Sequence, residues 1–361
     1  MSLALALGRR GLGNTWPNPA VGAVVVRHYG DEPVIVGRGW TQPGGRPHAE
    51  TEALGRAGPA ARGATLYATL EPCSHHGKTP PCTEAIMAAG IERVVSAIED
   101  PSARVAGRGH ALLRATGIVV DIGCGADEAR RAHAGHIRSV CDHRPHVTLK
   151  LAVSADGKAG RAGRRPAPIT GEAARARVHL MRAMNDAILI GIGTALADDP
   201  QLTCRLPGMA ARSPVRVVLD TSLRLPATGA LARGARDVPV WVMAGEGAPK
   251  EAESALRAQG VEVLRLAATG GRLDIAAVLA ALAERGITRL MVEGGPTVAA
   301  AFVAADLVDE AALLCGPAPI GPDGIDALEG LPLTALTGSP RLHSRGIETI
   351  GEDTIETFER A

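Results

Sequence analysis

The strongest constraint on how this chain can fold is a set of metal-binding side chains scattered over thirty-five residues, His48-Ala49-Glu50 and then Glu71-Pro72-Cys73 through to Cys82. One imidazole and two thiolates are three protein ligands, the count of a catalytic zinc that keeps its fourth tetrahedral position for water. Residues i and i+2 do not share a helix face. His48 and Glu50 can therefore address one ion only from the first turn of a helix whose end points at it, and Thr51 to Ala57 reads as that helix. Pro81 ahead of Cys82 to Ala89, with Gly90 beyond, predicts a second helix. Two helix N-termini converging there would favour the negative charge that gathers on thiolates.

His-x-Glu followed by Pro-Cys and a later Cys is the zinc nucleobase deaminase pattern, with the glutamate as proton carrier. The general pattern closes with Cys-x-x-Cys, whereas eight residues separate Cys73 from Cys82 here. The competing reading is a structural zinc whose shell is closed by His75 or His76. That reading leaves no place for water and no task for Glu50.

At 361 residues the chain suggests two domains, and a hydrophobic share of 46% supplies their cores. A net charge of +1 and an aromatic share of 2% argue against a nucleic-acid partner, which needs a basic footprint and stacking platforms. A small-molecule substrate is expected instead. Six cysteines in this length are too sparse for a disulfide framework. The apolar Leu3 to Leu7 has its charges after it, so it reads as a first helix rather than a signal peptide. No stretch approaches the roughly 20 apolar residues of a membrane span. Cytoplasmic localisation without membrane association is the expectation.

Strand character recurs at Val21–Val26, Val34–Val36, Ala64–Leu70, Val94–Ile98 and Ile118–Val120, with a helix over 107–116, which predicts an α/β layer. Ala126 to Cys141 reads as one helical stretch that Asp142-His143-Arg144-Pro145 ends. A domain boundary near 145 divides the chain into 1–145 and 146–361. Beyond it, strands are expected at 146–153, 187–191, 215–220, 238–242 and 289–292. Helices are expected from a Thr170 cap to Met184, over 251–259 and over 275–284. Gly191-Ile192-Gly193 lacks the third small residue of a dinucleotide fingerprint, and Gly245-Glu246-Gly247 reads as a turn. Glu293-Gly294-Gly295-Pro296-Thr297 ends a strand and opens a helix. Its backbone N–H groups could meet a phosphate, or it could be a tight structural turn.

Taken together, Thr15-Trp16-Pro17-Asn18-Pro19-Ala20-Val21-Gly22, His48-Ala49-Glu50, the run Glu71 to Cys82, and Asp100-Pro101 with Val105 to Gly109 resemble the RibD family, the bifunctional deaminase/reductases of riboflavin biosynthesis. The wide cysteine spacing is that family's own. Leu149-Lys150-Leu151 with Ser154-Ala155-Asp156-Gly157, Gly193 to Pro200 with Leu202 to Arg205, and Glu293 to Thr297 are similar to its reductase half.

The resemblance implies a cytidine-deaminase-like domain followed by a dihydrofolate-reductase-like domain. It implies zinc-hydroxide hydrolytic deamination of 2,5-diamino-6-(5-phosphoribosylamino)pyrimidin-4(3H)-one, then reduction of ribosyl to ribityl by NADPH. Zinc falls to His48, Cys73 and Cys82, proton transfer to Glu50, and substrate contact to Asn18, His75 and Lys78. In the reductase half, Ala152, Thr194, Asp198, Thr221 and Gly295, Pro296, Thr297, Val298, Ala299, Ala300 and Ala301 would contact NADPH. Arg182, Leu202, Arg205 and Glu293 would contact substrate, the arginines suiting a phosphate. Lys150 and Asp156 both stand as proton donors for the reduction. A homo-oligomer is expected.

Three departures from the family are visible. Thr41 stands where a histidine is common, the chain begins a few residues into the first helix, and Pro166-Ala167-Pro168 replaces a substrate-binding serine and a cofactor-binding tryptophan. An impaired reductase half, or a zinc-stabilised nucleotide-binding protein, are the alternatives these raise.

Overall fold

The computed structural model describes residues 1–360 apart from Arg104 and Pro166, and of Arg164 only the backbone. The packing of the chain divides it into Met1–Arg144 and Pro145–Ala361.

The first unit runs α1 (Ser2–Arg9), β1 (Gly22–Tyr29), β2 (Glu32–Trp40), α2 (Ala49–Ala57), β3 (Thr65–Ala68), α3 (Cys82–Ala88), β4 (Arg93–Ser96), α4 (Arg108–Ala115), β5 (Val119–Ile122), α5 (Ala126–Ala132) and α6 (Ala134–Cys141). Its five strands lie in the order β2-β1-β3-β4-β5. The β1–β2 and β1–β3 pairs are antiparallel, and β3, β4 and β5 are parallel. Ala23, Val25, Leu66 and Val94 of the sheet meet Ala53 of α2 and Ile86 of α3 in one core. Gly39 of β2 lets α2 approach closely, since a Cβ there would stand 2.2 Å from the Ala49 carbonyl oxygen. The first turn of α2, which carries Glu50, is thereby pressed onto the sheet.

The single helix expected over 126–141 is broken. His133 sits between α5 and α6 outside helical geometry. Its ring is buried, with Nε2 3.0 Å from Thr69 Oγ1. A buried polar ring needs a partner, and Nε2 finds one just past β3.

The second unit holds a nine-stranded sheet. From one edge its strands are Glu262–Leu266, Val240–Gly245, Val215–Leu219, Ala187–Gly191, Arg289–Val292, β6 (His146–Val153), Glu310–Cys315, Asp353–Arg360 and Leu342–Ile350. The first seven pair in parallel and the last two form an antiparallel hairpin. Buried on both faces, the central strands read as continuous apolar runs, Ala187 to Gly191 being buried throughout.

Helix α7 spans Glu172–Ala183 and α8 spans Ile192–Asp198. Thr170 does not cap α7. The N-cap is Gly171, whose N–H donates to Asp353 Oδ2 at 2.7 Å. The Gly-x-Gly at 191–193 is the entry to α8, while Gly245–Gly247 ends a strand in a turn. Among the described residues, no helix is long and apolar enough to cross a membrane.

Candidate active sites

In the first unit, His48 is the N-cap of α2 and Cys82 opens α3 behind its own N-cap, Pro81. Cys73 follows β3. His48 Nδ1 lies 3.6 Å from Cys73 Sγ and 3.3 Å from Cys82 Sγ. A tetrahedral zinc with Zn–S of about 2.3 Å and Zn–N of about 2.0 Å sets sulfur and nitrogen about 3.5 Å apart. The donor set and its spacing fit that ion. Among the described residues, His48, Cys73 and Cys82 form a complete cluster, and no further His, Cys, Asp or Glu atom joins it within 4.8 Å of all three. His75 and His76 are exposed, and His76 Nε2 lies 3.3 Å from Glu84.

The three donors of the cluster share protons unevenly. Cys73 is held down to about 4, chiefly by its hydrogen bond with Cys82, while the same bond pushes the Cys82 thiol up. The Cys82 backbone N–H also donates to Cys73 Sγ at 3.3 Å. The hydrogen bond to Cys73 raises His48. Glu50, 3% exposed, is pushed up to about 6 by burial, with the Cys73 charge adding to the effect. A carboxyl poised between its two protonation states near neutral pH suits a group that must accept and return a proton.

Asn18 reaches the site, its amide nitrogen donating to the Gly45 carbonyl at 2.8 Å and lying 3.4 Å from His48 Nε2. His75 and Lys78 stand exposed on the segment between the two cysteines. Thr41, by contrast, is 2% exposed and its hydroxyl accepts from the Val21 N–H at 3.0 Å. It belongs to the scaffold.

Sequence reasoning passed over two residues here. Glu71 accepts four backbone N–H groups, from Asp100, Gly107, Gly109 and His110, at 2.8 to 3.2 Å. It fastens the 100–110 loop beside Cys73. A Cβ on Gly109 would lie 2.2 Å from the Pro72 carbonyl oxygen, so glycine is required for that approach. Arg46 hydrogen-bonds the Thr79 hydroxyl, tying the approach to His48 to the His75–Lys78 segment.

In the second unit a cavity of about 500 Å³ opens over the carboxyl ends of the central parallel strands, the usual ligand position in such sheets. Lys150 and Ala152 of β6 line it, with Thr194 and Asp198 of α8 and Glu293, Gly295 and Pro296 after strand Arg289–Val292. Arg182 and Glu293 form a bidentate pair at 2.9 Å and 2.9 Å, and Lys150 Nζ lies 3.6 Å from Glu293. Burial pushes the Glu293 carboxyl up, but Lys150 and Arg182 outweigh it and hold the group below its ordinary range. Burial raises Asp198.

Leu202 and Arg205 also line the cavity, Leu202 with a left-handed backbone at φ 56°. Such strain in a non-glycine residue concentrates at functional sites. His179 Nδ1 lies 3.1 Å from the Thr203 carbonyl and 3.3 Å from the Arg205 N–H, fixing that segment to α7. Burial, with Arg182 and Arg205 adding, lowers the His179 pKa.

Several expected contacts are not brought to this cavity. Thr221 lies at the end of a neighbouring strand and its carbonyl accepts from Gly245. Within Gly295 to Ala301, Ala299 and Ala300 are buried, Thr297 is exposed and bonds Glu329, and Val298 packs on Gly294. Ala301 is half-buried in the same helix. Asp156 is exposed and its carboxylate accepts from Ser154, Ile320 and Gly321, holding it down to about 2. It organises a turn, whereas Lys150 faces the cavity. Of the three residues in the replaced loop, Ala167 lines the cavity, Pro168 lies on a neighbouring cleft, and Pro166 lies outside the described residues.

Comparisons with known proteins follow the same division. Residues 1–98 match the cytidine and deoxycytidylate deaminase zinc-binding region, and residues 145–355 match the RibD C-terminal domain. The chain is 42% identical over 355 residues to the riboflavin biosynthesis protein RibD of Bacillus amyloliquefaciens, covering 98% of this chain and 93% of that protein. It is 37% identical to RibD of Escherichia coli (strain K12), with 98% and 96% covered. Form 1 of Acinetobacter baumannii RibD superposes with a TM-score of 0.88 at 34% identity, covering 100% of this chain and 97% of that one. The diaminohydroxyphosphoribosylaminopyrimidine deaminase/5-amino-6-(5-phosphoribosylamino)uracil reductase of Thermotoga maritima gives 0.85 at 34% identity over the same shares.

Proposed function

The chain belongs to the RibD family of riboflavin-biosynthesis enzymes, and from that premise we propose how its residues divide two successive reactions. It is a bifunctional zinc-dependent deaminase and NADPH-dependent reductase acting on a small pyrimidine nucleotide.

The deaminase occupies 1–145. His48, Cys73 and Cys82 hold zinc, which when bound lowers the pKa of water towards neutrality. Glu50 accepts the proton that water gives up and hands it to the ring nitrogen of 2,5-diamino-6-(5-phosphoribosylamino)pyrimidin-4(3H)-one, then takes the proton of the added hydroxyl and passes it to the amine, which departs as ammonia while the carbonyl forms. Asn18, His75 and Lys78 orient the substrate. The single observation that supports this reading best is the buried Glu50 beside a three-ligand cluster that no other described residue closes.

The reductase occupies 146–361, and NADPH supplies the hydride that opens the sugar at C1. Lys150, whose ammonium faces the cavity beside Glu293, gives the accompanying proton to the ring oxygen. Arg182 is spent on Glu293 and holds that carboxylate in place. Ala152, Thr194, Asp198, Gly295 and Pro296 line the cofactor's wall, and Leu202 and Arg205 that of the substrate. The enzyme works in the cytoplasm as a homo-oligomer, without nucleic acid or membrane.

The experiment is ordered. Ammonia must be released from the diaminopyrimidinone nucleotide first, and NADPH consumed only on the deaminated product. NADPH consumption by the undeaminated nucleotide at a comparable rate would overturn the sequence of steps.

A further inference from the structure

Cys82 is set by the start of α3, but the run that leads to it from Cys73 has no element of its own. Residues 75–80 are irregular and exposed throughout. Such a run keeps one shape only through what ties it to the rest of the fold. Its Gly77 N–H donates to the Thr79 carbonyl at 3.3 Å, which closes a turn within the run itself. Two side-chain hydrogen bonds or ion pairs reach it from outside among the described residues. One is His76 Nε2, 3.3 Å from Glu84 Oε1 with both side chains open to water, a pair of little weight. The other is Arg46, whose Nη1 donates to the Thr79 hydroxyl.

Arg46 is well placed to hold that turn, because the backbone on both sides of it is pinned. The Gly45 carbonyl accepts from Asn18 Nδ2 at 2.8 Å, and a Cβ on Gly45, at φ 82°, would stand 2.7 Å from that amide nitrogen. The Pro47 carbonyl accepts from the Gln42 N–H at 3.0 Å. Between them Arg46 is extended, and its guanidinium lies over the turn, where a Cβ on Gly77 would stand 3.4 Å from Nη2. Among the described residues no carboxylate pairs with Arg46. The turn is therefore its one polar commitment.

We infer that Arg46 is a positioning residue of the deaminase: its guanidinium latches the Gly77–Thr79 turn to the run that leads into His48, and so keeps His75 and Lys78 set for the substrate. The inference rests on the deaminase reading above, which gives His75 and Lys78 that task, and adds the residue that holds them. An unlatched run spreads over open states. Apparent affinity then falls with the fraction of chains that keep the closed one, while a substrate once bound reacts as before.

The test uses the full zinc-loaded chain with Arg46→Met, Thr79→Val and the double variant, acting on the diaminopyrimidinone nucleotide. Each single variant should raise KM about 3- to 10-fold, the scale of one hydrogen bond to a charged group in water, with kcat within about twofold and zinc content unchanged. The double variant should lose no more than either single one, because both break the same contact. Thr79→Ser keeps the hydroxyl and should match the wild type.

A wild-type KM in Thr79→Val, or a further rise in the double variant, would overturn the latch, since Arg46 would then act without Thr79. A loss of zinc from Arg46→Met would overturn it as well. Trypsin gives a readout that needs no turnover. Cleavage after Lys78, followed by mass spectrometry, should run about 3- to 10-fold faster in both single variants. Arg46 precedes Pro47, a bond trypsin leaves intact, so its replacement removes no competing cut. Should the wild-type chain release no ammonia, the deaminase reading fails. Faster cleavage in the variants would still uphold the latch, and equal cleavage would refute it.

Discussion

The two sites are built by opposite strategies. The proposed zinc site draws its ligands and its carboxylate from two helix N-termini and one strand exit within His48 to Cys82. Each helix end sets one ligand by local geometry, and the sheet brings them together. The reductase cavity draws on β6, α7, α8 and the turn after Val292, so that the Arg182–Glu293 pair spans 111 residues of sequence. A local motif can specify a metal site, but only the assembled sheet makes the second cavity.

That contrast predicts separable losses. Cys82→Ala removes a ligand that no neighbour replaces, so bound zinc, measured by atomic emission, should fall close to zero. Ammonia release should disappear with it, while NADPH oxidation of pre-deaminated substrate persists. Loss of both activities would show that the halves depend on each other.

Glu50→Gln sharpens the comparison, because it should keep zinc and lower ammonia release by about 10²- to 10⁴-fold. Retained turnover would remove Glu50 from the chemistry.

Glu293→Gln tests the long-range pair. It leaves Lys150 and Arg182 facing each other without their counter-charge, and thermal unfolding of the reductase half should lose about 2 kcal/mol, less than for a wholly dry pair because the carboxylate is 14% exposed. Reductase activity should fall while ammonia release is untouched. The smallest effect is in pH. The folded-state pKa of Glu293 is depressed below its ordinary value of 4.5, so its contribution is present above that value and is lost as pH falls through the depressed one. Wild-type stability should decline there in a way that Glu293→Gln does not share.

Much of the fold was legible in the chain. Proline before Cys82 and glycine at 90 mark α3, and the apolar runs of the central strands stand where their patterning puts them. What was illegible depends on distant partners. Thr170 looked like a cap, but Asp353, 182 residues beyond Gly171, satisfies that helix start. The break at His133 went unread, because the partner of its buried ring, Thr69, lies 64 residues away in sequence. Thr41 looked like a gap in the substrate's surroundings until its burial behind β1 became visible. Arg175 and His179 carried a usable signal, their spacing from Arg182 along one helix face, which only a cavity above that face makes meaningful.

X-ray absorption at the zinc edge tests the central claim most directly, comparing the wild-type chain with a His75→Ala/His76→Ala double variant. A shell of two sulfurs near 2.3 Å with one imidazole and one further light atom near 2.0 Å, identical in both proteins, is the predicted result. A second imidazole in the wild type that vanishes from the double variant would mean a closed shell, and would contradict the account.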